Sequence, residues 1–165
     1  MGKVMKIAVV YHSQGGNTKE VARIISAGAK ISDQIEVAAM SIGRIDKDFV
    51  EKSKAVIIGC PTYYGTFSWQ IKKWFDTTKI DLEGKLGGVF VTENYLGGGA
   101  DVAELGMIGH MLIRGMLVYS AGYTKAGPIT HYGAVSIKAG DEWQKRRAKL
   151  YGKRLAEKAV ELFET

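Results

Sequence analysis

One cysteine, Cys60, in 165 residues excludes an internal disulfide and a paired-cysteine zinc site. Proline occurs only twice, and no linker, repeat or low-complexity segment interrupts the chain, so one domain over residues 1–165 is expected. No apolar run approaches the ~20 residues of a membrane span. The longest, such as Ile7 to Tyr11, read as buried strands and are too short for a signal-peptide core. Lys6 spoils the myristoylation pattern that Gly2 suggests. A cytoplasmic location without a membrane span is the expectation. Neither GxxxxGK[ST] nor GxGxxG occurs, which disfavours a Walker loop and dinucleotide binding of the Rossmann type. His12, His110 and His131 lie far apart and form no metal set by spacing.

The formal charge is +6, with many basic groups between Lys138 and Lys158. The run Lys145-Arg146-Arg147-Ala148-Lys149 reads as the solvated face of a helix. No recognition motif accompanies it, so nucleic acid is not an expected partner. Glycine, at 21 residues, is the other excess. Much of it falls in short clusters (Gly15-Gly16, Gly87-Gly88, Gly97-Gly98-Gly99), a pattern suited to backbone held close to something.

The remaining pattern alternates. Met5 to Tyr11 is apolar without alternation, as in a strand covered on both faces. Asn17 or Thr18 then caps a helix with Val21, Ile24, Ile25 and Ala29 at helical spacing. Ile35, Val37 and Ala39 make a half-buried strand, Asp46 opens a short helix, and Ala55 to Cys60 is a third strand. Ser68 caps a helix that buries Phe67, Ile71, Trp74 and Phe75. Leu86 to Thr92 is the fourth strand. Asp101 and Glu104 form a capping-box pattern for a helix burying Leu105, Ile108 and Leu112. Met116 to Tyr119 is the fifth strand, and Asp141 with Gln144 opens a last helix. Five strands alternating with five helices predict a parallel, doubly wound α/β domain. Its ligand crevice lies beyond the carboxyl ends of the strands.

Three loops fall there. In the first, Ser13-Gln14-Gly15-Gly16-Asn17-Thr18 opens a helix, so converging N–H groups and hydroxyls make a phosphate cradle without a lysine. The alternative is a plain glycine-rich turn. In the second, Pro61-Thr62-Tyr63-Tyr64-Gly65 offers aromatic rings that can stack on a planar group, or that merely cover the helix beneath. The third, Thr92-Glu93-Asn94-Tyr95-Leu96-Gly97-Gly98-Gly99, again joins polar groups, an aromatic and glycines. Together they suit a phosphorylated, flat, hydrogen-bonding cofactor. His12 and His131 adjoin these loops, whereas His110 reads as structural and Cys60 as a buried thiol.

On those residues the chain resembles the flavodoxin-like family from end to end, and within it the WrbA-like NAD(P)H:quinone oxidoreductases. Ser13 to Thr18 is similar to the family's FMN phosphate loop, although Gly15 replaces a hydroxyl residue. Pro61 to Gly65 is similar to the loop that wraps the isoalloxazine. Gly97-Gly98-Gly99, Gly115-Met116 and Tyr132-Gly133-Ala134 also look WrbA-like. The resemblance implies strand order 2-1-3-4-5 and FMN. The implied contacts are Ser13, Gln14, Gly15, Gly16, Asn17 and Thr18 for the phosphate loop. Pro61, Thr62, Tyr63, Tyr64 and Gly65, then Thr92, Glu93, Asn94, Tyr95 and Gly98, follow from the other two loops.

The resemblance further implies an oxidoreductase passing electrons from NAD(P)H through FMN to a quinone or similar small acceptor, with no side-chain catalyst. The alternatives are a one-electron carrier serving redox-protein partners and a non-catalytic FMN module. Two departures bear on this choice. The segment Thr77 to Leu86 is short where WrbA-type proteins carry a longer one that helps build a tetramer and closes the quinone site. The resemblance therefore implies the tetramer, a homo-oligomer, and quinone reductase less firmly than FMN. Arg114 also stands where they carry a histidine. Against the carrier, flavodoxins tend to be acidic and this chain is +6.

Overall fold

The computed structural model describes residues 4–122 and 131–164; Gly2 lies outside them. β1 (Met5–Tyr11) is buried except at Lys6, whose ammonium meets Glu36 at 3.3 Å and lies over the Phe49 ring. α1 (Asn17–Ala29), β2 (Ile35–Ser41) and the short α2 (Lys47–Lys52) follow. Asp46 caps α2 by accepting from the Phe49 N–H. β3 (Ala55–Tyr63) continues three residues beyond the apolar run, because Thr62 and Tyr63 pair antiparallel with β4 (Thr66–Phe67). α3 (Trp69–Thr77), β5 (Leu86–Glu93), α4 (Ala100–Ile113), β6 (Leu117–Val118), β7 (Ala134–Ile137) and α5 (Glu142–Phe163) complete the order.

The sheet runs β2-β1-β3-β5-β6 with parallel neighbours, the predicted doubly wound order. Alternation sets the layers. Ile7, Val9 and Tyr11 pack with α1 and α5, while Ala8 and Val10 pack with α2, α3 and α4.

The predicted fifth strand, Met116–Tyr119, is shorter than expected and resumes later. Leu117 and Val118 pair with Leu86 and Gly87, and Ala134 to Ile137 pair with Phe90 to Glu93. Between the two pieces the Val89 N–H donates to the Tyr151 hydroxyl at 2.9 Å. A side chain from α5 thus satisfies the β5 amide where the ladder is interrupted.

Two caps differ from the sequence reading. Gly16, not Asn17 or Thr18, is the cap residue of α1; the Ser13 hydroxyl accepts from the Gly16 and Lys19 N–H groups, both at 3.2 Å. At α4 the cap residue is Gly99, and Asp101 falls in the first turn. Glu104 is buried inside the protein rather than closing a capping box. Consequently α4 buries Ala103, Met107 and Met111, whereas Leu105 and Leu112 are exposed. At α5 the capping box of Asp141 and Gln144 is present. Among the described residues no helix is long and apolar enough to cross a membrane.

Candidate functional site

Strands β1, β3 and β5 deliver their following loops to one edge of the sheet, where a cleft of about 320 Å³ opens. Its walls come from all three sequence-identified loops. The first supplies Ser13, Gln14, Gly15, Asn17 and Thr18. Pro61, Thr62 and Tyr63 come from the second, and Thr92 and Asn94 from the third.

Side-chain bonds tie these loops together. The buried Thr18 hydroxyl meets that of Thr92 at 2.8 Å, joining the first turn of α1 to the end of β5. The Tyr63 hydroxyl donates to Gln14 Oε1 at 2.9 Å and lies 3.3 Å from His12 Nε2. The phenol's one proton goes to Gln14, so His12 donates from Nε2. Partial burial lowers the His12 pKa from its ordinary value. The second loop is a two-residue hairpin turn. Tyr64 (φ 48°) and Gly65 (φ 80°) both adopt the left-handed region, as a twist-matched turn demands. Tyr64 therefore projects fully into solvent. Gly99 (φ 94°) packs directly on Gly65, since a Cβ there would lie 2.5 Å from the Gly65 Cα. The second and third loops thus touch backbone to backbone.

Some candidates sit elsewhere. Gly16 caps α1, and Tyr64, Gly65 and Tyr95 are exposed outside the cleft lining. Glu93 is buried, and its Oε2 accepts from the Ala100 N–H at 3.3 Å, serving the start of α4. Gly98 packs against that Glu93 side chain. His110 packs between Phe67 and Phe75, with Nδ1 2.8 Å from the Gly106 carbonyl. Arg114 donates to the carbonyls of Phe75 and Thr78, binding α4 to the end of α3. Cys60 is buried, which pushes its thiol up to about 11, and its sulfur accepts from the Ser68 N–H. His131 lines a different cavity, with Glu104 and Arg147. Sequence reasoning missed that grouping, because it joins three distant segments and Glu104 read as part of a cap. Among the described residues no group of His, Cys, Asp and Glu could hold a metal ion.

A doubly wound sheet with a polar cleft beyond its central strands defines the mononucleotide-binding α/β class. The family model described as Flavodoxin matches residues 9–100, more than half of the chain. The chain is 42% identical to a flavodoxin of Clostridium saccharobutylicum over 160 residues, covering 96% of this chain and all of that one. It is also 30% identical to an NAD(P)H dehydrogenase (quinone) of Archaeoglobus fulgidus, over 95% of this chain and 98% of that one. A crystal structure of a WrbA-like flavodoxin from Agrobacterium tumefaciens superposes with a TM-score of 0.79 at 26% identity, covering 95% and 98% of the two chains. This chain belongs to the flavodoxin family, whose members are FMN-binding redox proteins.

Proposed function

We propose that the whole chain is one flavodoxin domain acting as an electron carrier, holding a single FMN in the cleft and serving a redox protein that docks on its rim. The carrying observation is the Tyr64–Gly65 turn. The two left-handed residues turn the Tyr64 side chain into solvent while the Gly65 backbone packs on Gly99. The exposed Tyr64 and Tyr95 directly follow the cleft-lining Tyr63 and Asn94, offering surface suited to a protein partner.

The donor set fits the cofactor. Ser13, Asn17 and Thr18, at the start of α1, supply hydroxyl, amide and helix-terminal N–H groups for a phosphate. A Cβ at Gly15 or Gly16 would meet no heavy atom within 4 Å, so the loop backbone is open to a ligand. Tyr63, fixed by Gln14 and His12, and Asn94 line the cleft from the second and third loops, where they would flank a flat ring. When bound, FMN supplies reversible one- and two-electron chemistry, and the protein supplies binding, orientation and electrostatics.

The charge of the chain does not oppose this reading. The three loops contain no lysine or arginine, whereas α5 carries seven basic and three acidic residues, hence +4 of the +6. The full-length 42% match to a flavodoxin also favours a carrier. The rival reading, an NAD(P)H:quinone oxidoreductase, is supported by the 30% relative and the WrbA-like fold. Against it, the residue standing where WrbA-type proteins carry a histidine, Arg114, is engaged with α3 and not with the cleft.

Anaerobic stopped-flow mixing of the FMN-loaded protein with NADH and with NADPH distinguishes the two. A carrier is reduced over minutes or not at all, and stepwise chemical reduction resolves two one-electron steps. Rapid bleaching followed by paired-electron reoxidation with benzoquinone would establish the rival. Failure of equilibrium dialysis to detect FMN binding at micromolar concentration would remove both.

A further inference from the structure

A second cavity, of about 560 Å³, shares no described lining residue with the cleft. It lies among the start of α4, β7 and α5. Leu96, Val102 and Val135 give it apolar walls, and Glu93, Asp101 and Glu104 all line it. Glu104 is the unusual member. It is 1% exposed, and its Oε1 has no hydrogen-bond partner. The Gly133 backbone N–H acts on this carboxyl, but an oxygen left without a partner costs free energy that a ligand N–H recovers. Gly133 makes room for it, since a Cβ there would lie 2.6 Å from Glu104 Oε1.

Arg147 is the one lysine or arginine among the described lining residues. Its Nη2 donates to the Val135 carbonyl at 2.8 Å, and its charge acts on Asp141 as well as on Glu104. Glu93 and Asp101, joined by Glu104 once it loses its proton, therefore outnumber the one guanidinium among the described lining residues. That excess disfavours an anion, and the described residues offer no metal-binding group. We infer that this cavity binds a small organic cation of amidinium or guanidinium type, its planar N–H fork meeting Glu104 and its flat body lying between Leu96, Val102 and Val135. The assignment does not rest on the flavin reading.

Binding of such a cation is linked to pH. The charged and titratable groups acting on Glu104 or lining its cavity are Asp101 on its own helix, Glu93 on β5, Arg147 and Tyr151 on α5, Cys60 on β3, and His131 ahead of β7. Burial, reinforced by Asp101 and Glu93 and opposed by Arg147 and the Gly133 backbone N–H, pushes the Glu104 carboxyl up to about 8. Below that pH the cation must displace a proton.

The test uses the full-length protein as purified, with benzamidine as the cation and benzamide as its uncharged counterpart. Affinity is followed by calorimetry and by amide chemical shifts. Benzamidine is expected to saturate one site, shift Gly97, Ala100 and Gly133 rather than Gly15 and Thr18, and tighten by about tenfold per pH unit from 6 to 7, levelling above 8. Benzamide is expected to bind at least about tenfold more weakly. Glu104→Gln, which retains shape and loses charge, is expected to weaken benzamidine by about tenfold or more and to abolish the pH slope while FMN binding is unchanged. Equal binding of the two probes, a pH-independent affinity, wild-type behaviour of the variant, or shifts confined to the cleft would each overturn the assignment. Should the variant fail to fold, the wild-type pH slope and the benzamide comparison decide it.

Discussion

Thr18 and Thr92 share one hydrogen bond, yet each hydroxyl has its own proton. With Thr92 donating to Thr18, the Thr18 proton remains for a ligand. Ser13 is placed in the same way, because its oxygen accepts two backbone N–H groups and leaves its proton for the cleft. Each such bond to a phosphate contributes ~1.5–3 kcal/mol. The Ser13→Ala, Thr18→Ala double variant should therefore lose FMN affinity by about a hundredfold at the lower, coupled end of that range. Riboflavin has the ring without the phosphate and should bind almost as before. The FMN-to-riboflavin affinity ratio, measured by fluorescence quenching, is the readout; an unchanged ratio would place the phosphate elsewhere. Thr18→Ala alone should also cost the apoprotein about 1–3 kcal/mol in urea unfolding, since the buried Thr92 hydroxyl loses its partner.

The hairpin of β3 and β4 responds differently, because it acts as a wall rather than as a set of donors. Gly99→Ala forces a Cβ against the Gly65 backbone, at about 1–3 kcal/mol of strain. It should weaken FMN and riboflavin together, leaving their ratio near the wild-type value; a selective loss of FMN would contradict this picture. Elements differ in how far their sequences disclose them. β1 and the core of β3 are legible because unbroken apolar runs permit burial on both faces. The site loops follow once chain order places them beyond the strand ends. α4 resists because it is apolar nearly all round. Leu105, Ile108 and Leu112 form one plausible stripe, Ala103, Met107 and Met111 another, and only packing against the sheet selects the second. Its cap escapes notice because the carboxylate serving Ala100 belongs to Glu93, in the preceding strand. The interruption of the fifth strand is hidden for a similar reason: the group that satisfies Val89 is Tyr151, 62 positions along the chain.

For the molecule as a whole, the buried Glu104 and the half-buried His12 set opposing pH dependences. Folding raises the Glu104 pKa from 4.5 to about 8. Over that interval the folded chain holds a proton that the unfolded chain has released, and stability falls as pH rises. Folding lowers the His12 pKa below 6.5, so the unfolded chain takes up that proton first and stability falls as pH drops below 6.5. Between pH 6.5 and 8 the Glu104 effect acts alone of the two, with a limiting slope of about 1.4 kcal/mol per unit. The urea midpoint should fall across that window, and Glu104→Gln should flatten the fall; an equal fall in the variant would assign the slope to other groups. The division of the fifth strand has a consequence for the chain as a polymer. Val118 and Ala134 are registered on β5 independently, one at Gly87 and the other at Phe90. A backbone severed between them leaves a long fragment with β5 intact and a short fragment carrying β7 and α5, which supplies Tyr151 and Leu155 to the core. Such halves have the makings of a complementation pair, with colour from bound flavin reporting their reunion.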